Sequence, residues 1–135
     1  MSKLSKIVFK NKIIFFIIFI SSIMFSKHSW SESFLDCIED IPISKNIEEN
    51  KKGCFNFDTD AGRIMIAEAT TSINANDIIE YYKNILPSFG WQLKEFSDME
   101  SFIIYIRDND VLKISIEEDK NRFYIISYNF LSIVK

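Results

Sequence analysis

Residues 101–131 form three apolar-rich segments separated by only two short polar breaks, and the middle segment alternates apolar with polar side chains. That period of two restricts the chain to antiparallel β-structure more tightly than any other feature. Leu112, Ile114 and Ile116 alternate with Lys113, Ser115 and Glu117, the pattern of a strand with one buried face. Asp108-Asn109-Asp110 and Asp119-Lys120-Asn121 are rich in residues that favour turns. Segments 101–107, 111–117 and 122–131 are therefore predicted to be consecutive hairpin strands, with 91–96 a further strand before them. The outer segments are apolar on both sides. Phe102, Ile104 and Ile106 oppose Ile103 and Tyr105, while Tyr124, Ile126, Tyr128 and Phe130 oppose Phe123, Ile125 and Leu131. Both faces of such a sheet need cover.

Upstream, Phe55 and Phe57 alternate with Asn56 and Asp58, Thr59-Asp60-Ala61-Gly62 breaks the pattern, and 63–70 resumes it. This predicts another hairpin. Asp58 and Asp60 lack the further ligands and central glycine of a calcium loop, so the segment reads as a turn. Asn74 is a suitable helix N-cap, with Asp77 in the first turn facing the positive end of the helix dipole. Ile78, Ile79, Tyr82, Ile85 and Leu86 then share one face at helical spacing, and Glu80 can pair with Lys83 on the outer side. Pro87 ends the helix and Gly90 suits the left-handed position beyond it. Ala67 and Ala69 would let the helix approach the sheet closely. The expected fold is α+β: a mainly antiparallel sheet of five to six strands with one helix packed on one face, in the order β-β-α-β-β-β-β.

The N-terminus sets the compartment. Lys3, Lys6, Lys10 and Lys12 lead into an apolar run from Ile13 to Phe25 broken only by Ser21 and Ser22, the layout of a signal peptide. Such a run rises about 20 Å as a helix, short of the roughly 30 Å hydrocarbon core of a bilayer. Ser29-Trp30-Ser31 offers small residues for cleavage before Glu32, and Ser31-Glu32-Ser33 for cleavage before Phe34. Residues 1–31 are thus read as a signal peptide. The alternative is an uncleaved inner-membrane anchor in the same orientation, since only Lys27 follows the run closely. Cys37 follows Leu35-Asp36, and the acidic neighbour does not suit a lipidation site.

The remainder divides into an N-terminal segment, 32–53, and one domain, 54–135. With two cysteines, Cys37 and Cys54, in an oxidising compartment, the count predicts one disulfide tethering the first to the second. A metal pair or catalytic thiol has neither CxxC spacing nor a histidine to support it, since the sole histidine, His28, lies in the leader. Past residue 31 the chain has eleven basic against nineteen acidic residues, a net charge of −8, which disfavours nucleic acid and anionic lipid. Glu48-Glu49 and Glu117-Glu118-Asp119 read as solvated loop and turn residues.

The stretches FDTDAGRIMIAEA and IIEYYKNILPSFGW resemble a family of small bacterial envelope proteins with no known activity. They share an acidic-turn hairpin ending in Gly-Arg-Ile, a helix with a tyrosine-bearing face, then Leu-Pro, two residues and Gly-Trp. The resemblance covers about residues 54–91 and implies turn, core and cap roles for Gly62, Tyr82, Pro87, Gly90 and Trp91. It implies no catalytic or ligand-binding residue, and the cysteine pair lies outside the pattern.

No Ser-His or Cys-His pair, zinc imidazole or glycine-rich phosphate loop can be assembled past the leader. Catalytic, cofactor and metal residues are accordingly expected to be none. The reading is an exported, non-catalytic binding or interaction module of the bacterial envelope, its partner an envelope protein or small ligand. Its rivals are a membrane-anchored accessory subunit, contacting membrane only through the uncleaved N-terminus, and a small carboxylate-dependent hydrolase. Segment 34–53 is expected to cross the second sheet face; if it does not, a patch including Tyr105, Tyr124 and Tyr128 is expected to stay open for a partner.

Overall fold

The computed structural model describes residues 32–134; residues 1–31, read above as a signal peptide, lie outside them. One antiparallel sheet dominates. The strands are β1 (Ser33–Phe34), β2 (Pro42–Ile43), β3 (Ile47–Glu49), β4 (Phe55–Thr59), β5 (Gly62–Thr71), β6 (Gln92–Ser97), β7 (Phe102–Arg107), β8 (Asp110–Glu118) and β9 (Tyr124–Ile133), with helix α1 (Ala75–Ile85) between β5 and β6. Strands β1 and β2 form a small separate ladder. The other seven form one sheet in the order β3-β5-β9-β8-β7-β6, and β4 pairs with β5 beside β3. β3 lies against residues 69–71 of β5 and β4 against residues 62–66, so the two share one edge. The α+β class and the one helix among the described residues agree with the sequence reading, whereas the main sheet has seven strands because the short β3 was not visible as a strand; β1 and β2, also unforeseen, lie outside it.

The local rules account for the elements. The Asn74 side chain caps α1 by accepting from the Asp77 N–H at 2.9 Å, and its amide donates to the Asp77 carboxylate at 2.7 Å. Ile78, Ile79 and Tyr82 are buried, while Ile85 is only half-buried because the chain tightens there into the 3-10 turn Leu86–Phe89, which places Leu86 in the core instead. Gly90 closes this exit at φ 82, and its N–H donates to the Pro87 carbonyl. Gly62 has a different reason to be glycine. A Cβ there would stand 2.0 Å from the Ser132 carbonyl oxygen, so β5 and β9 close together only without one.

A single apolar core lies between the sheet and α1. It combines Ala67, Ala69, Ile103, Tyr105, Leu112, Ile114, Ile116, Ile126, Tyr128 and Phe130 with Ile78, Ile79, Tyr82 and Leu86. Leu35, Ile38, Ile41 and Ile47 belong to the same core. The disulfide-tethered segment therefore packs beside the helix, on the face the helix already covers, and does not cross the second face.

That placement is fixed by polar contacts as well as by burial. Cys37 and Cys54 are bonded with Cα atoms 5.6 Å apart. The Glu49 carboxylate accepts from the backbone N–H of Asp36 at 2.6 Å and of Cys37 at 3.0 Å, so Glu49 is a structural acceptor and not a solvated loop residue. At the other end of the segment, Arg107 donates to Asp40 at 3.0 Å and to the Phe89 carbonyl at 3.3 Å, with its guanidinium 4.3 Å from the Trp91 ring centre. Phe34 meets Phe89 edge-on at 5.7 Å.

Candidate interaction surface

The register of the sheet decides which side chains face away from the helix, because directly paired residues share a face. Ala67 pairs with Tyr128 and Ala69 with Ile126, while Tyr128 pairs with Ile114 and Leu112 with Tyr105. The alanine face, the tyrosine face and the Leu112-Ile114-Ile116 face are thus one surface, and the helix sits on it. Tyr105 and Tyr128 are 1% and 0% exposed and Tyr124 is half-buried against the core. The expected open patch of Tyr105, Tyr124 and Tyr128 is accordingly corrected: the alternation in β7 and β9 was sound, but the open side is the opposite one.

On the core side the tyrosines act as structural polar groups. The Tyr82 and Tyr128 hydroxyls are 2.6 Å apart and their rings meet at 77°. Burial raises both phenols well above the ordinary range, and the neighbouring tyrosine adds to the effect on Tyr82. Burial, and secondarily the charge of Glu80, pushes Tyr105 up to about 12. The Tyr105 hydroxyl and the Trp91 indole N–H have no hydrogen-bond partner among the described residues.

The face away from the helix carries a continuous apolar row. Phe57 pairs with Ile64, Ile64 with Leu131, Leu131 with Val111 and Val111 with Ile106, one residue from each of β4, β5, β9, β8 and β7. Phe55 and Ile66 lie in the next row, which continues through Asn129, Lys113, Ile104 and Glu95. Beyond it come Glu68, Ser127, Ser115, Phe102 and Ser97, so apolar character is concentrated at one end of the face. The charges on this side include Lys113 together with Glu48, Glu68, Glu95 and Glu117, a net acidic set.

The hairpin of β4 and β5 presents the most prominent part. Phe55 and Phe57 are 52% and 51% exposed, and their rings lie 6.4 Å apart and 9° from parallel. Ile64, Ile66, Val111, Ile106 and Leu131 are half-buried, and Ile133 is exposed at the end of β9. Asp58 is held by Arg63 at 2.8 Å, which partly neutralises charge at this corner. Lys113 lies over the Phe102 ring at 4.6 Å, which helps explain why Phe102 is buried while its row is otherwise polar.

A cavity of about 470 Å³ reaches the row only at Ile106, its other lining residues being Gly90, Gln92, Arg107 and Asp108. A cleft of about 350 Å³ lies on the helix side, between the tethered segment and the β4–β5 hairpin, lined by Asp40, Asn56, Arg63, Met65 and Phe130 among others. Its arginine is already engaged by Asp58. Among the described residues no group of three His, Cys, Asp or Glu side chains is placed to hold a metal, and no helix is long and apolar enough to cross a membrane. Comparison with known protein families, with characterised proteins and with solved structures finds no match.

Phe55 and Phe57 were legible as alternating residues but not as a site. The usable signal was the alanine pair: once Ala67 and Ala69 are assigned to the helix side, Ile64 and Ile66 must face away, and their hairpin partners with them.

Proposed function

We propose that residues 32–134 form an exported, non-catalytic interaction module of the bacterial envelope, which binds a protein partner through the sheet face opposite the helix. The observation that carries this reading is the row Phe57-Ile64-Leu131-Val111-Ile106, apolar across five strands and without cover among the described residues. Isolated exposed apolar residues are ordinary on any surface, whereas a contiguous set is the usual mark of an interaction site. The form of the surface favours a protein over a small molecule, because small ligands are held in concave sites that enclose most of their area.

Charge narrows the partner further. Glu68, Glu95 and Glu117 on the same side outnumber Lys113, and the chain past the leader is strongly acidic. The fitting partner is a protein with an apolar strip flanked by basic residues, while nucleic acid and anionic lipid are disfavoured. The disulfide supports an oxidising compartment. Capture from crosslinked envelopes tests the reading. Leu131→Lys and Ile64→Lys should lose the partner recovered with the parent protein while melting at nearly the parent temperature. Retention of the same partner by both variants would refute it.

A further inference from the structure

The two ends of the sheet are built differently, and the difference points to a second contact. At one end, β6 is shielded against further strand pairing: its register shifts between Leu93 and Glu95, and Lys94 and Glu95 are exposed along it. Bulges and charges are the usual devices that keep a sheet edge from pairing with another chain. At the other end, β3 is three residues long and carries Glu48 and Glu49. β4 has neither protection. Its five residues pair with β5 without a register break, all five are exposed, and its outer side has no strand partner among the described residues. Its one acidic residue, Asp58, is paired with Arg63.

We infer that β4 is a self-association edge, pairing antiparallel with β4 of a second copy of this chain about a two-fold axis perpendicular to the sheet. A two-fold contact requires a surface complementary to itself, and this strand meets that requirement through its spacing. Centring the pair on Asn56 sets Phe55 of each copy opposite Phe57 of the other, on the same face, because side chains alternate with a period of two. The Phe55 and Phe57 rings already lie parallel within one copy, so the pairing extends an existing stack across the axis. Asn56 meets its own equivalent, an uncharged pair able to exchange side-chain hydrogen bonds. The two faces away from the helix then lie on the same side of the joined sheet, and the row through Phe57 of one copy runs into the row through Phe55 of the other.

The net charge of each copy opposes association, so added salt should strengthen the dimer by screening that repulsion. The edge and the open face share Phe57 but are read by different variants: dimerisation can fail while partner capture through Leu131 and Ile64 persists.

The test is sedimentation equilibrium on the protein as exported by cells, at low and high salt. The parent should be a dimer whose dissociation constant falls as salt rises, and Phe55→Lys with Phe57→Lys should raise that constant by at least about tenfold, with an unchanged far-UV spectrum. Because lysines at these positions could disturb the hairpin, amide exchange of the parent supplies a second reading. Protection within Phe55–Thr59 should increase with protein concentration and protection within Gln92–Ser97 should not. A parent that stays monomeric at every concentration and salt, a dimer indifferent to the lysines, or concentration-dependent protection at β6 in place of β4 would each overturn the inference.

Discussion

Removing the Tyr82 hydroxyl tests whether the core is held by a polar pair or by packing alone. Among the described residues the two phenols are each other's only hydrogen-bond partners, 2.6 Å apart with both residues 0% exposed. Tyr82→Phe keeps the ring and its edge-on contact with Tyr128 at 5.9 Å, but leaves the Tyr128 hydroxyl buried without a partner. An orphaned buried hydroxyl costs about 1 to 3 kcal/mol, and Tyr128→Phe should cost about the same for the reciprocal reason. The double variant should be close to neutral, because it removes both polar groups and preserves the shape that fills the space. Urea denaturation followed by circular dichroism gives the four stabilities of the cycle, provided the slope with denaturant is unchanged. The coupling energy should be about 1 kcal/mol or more, within the range for residues in direct contact. A double variant whose loss equals the sum of the single losses would show that the hydroxyls do not sense each other and refute the reasoning.

Other changes probe the tether, the helix and the buried phenols. Cys54→Ser should cost about 3 kcal/mol from the 17-residue separation of the bridged cysteines, and the parent thiols should resist alkylation until reduced; free thiols in native protein would contradict this. Ile78→Ala, at a position 1% exposed, should lower stability by about 2 to 5 kcal/mol, and Ile85→Ala by less because Ile85 is only half-buried; equal denaturant midpoints would mean that the helix face is misassigned. Folding raises the pKa of Tyr82, Tyr105 and Tyr128 above the unfolded value of about 10, so the stability linked to keeping them neutral is present below that pH and is lost as pH rises through the folded values, with Tyr105 ionising near 12. A urea midpoint that does not fall between about pH 10 and 12 would contradict the burial of these phenols.

Much of the architecture was legible because it rests on local rules. Asn74, the apolar face from Ile78 to Leu86, Pro87 and Gly90 specify the helix and its exit with side-chain and backbone chemistry confined to a few residues. The last three strands follow from alternation and polar turns. β1, β2 and β3 were not legible, since two or three residues make no period and are held by contacts distant in sequence, such as Glu49 with Asp36 and Cys37, and Arg107 with Asp40. The same limit explains the misplaced patch. Alternation assigns residues to two faces but does not say which face the helix takes; that follows from the pairing of Ala67 and Ala69 with Tyr128 and Ile126, a fact of register. The tethered segment then joined the helix because Leu35, Ile38 and Ile41 needed an apolar core, and the helix side offered one already formed.

Photocrosslinking in living cells tests the open-face account most directly, since it reports what lies against a single side chain without depending on affinity during purification. A photoreactive phenylalanine analogue replacing Leu131, in the middle of the apolar row, should give a discrete adduct with another envelope protein. The same analogue replacing Asn76, exposed on the helix side, should give none. Adducts of equal yield from both positions, or from Asn76 alone, would contradict an interaction surface on the face opposite the helix.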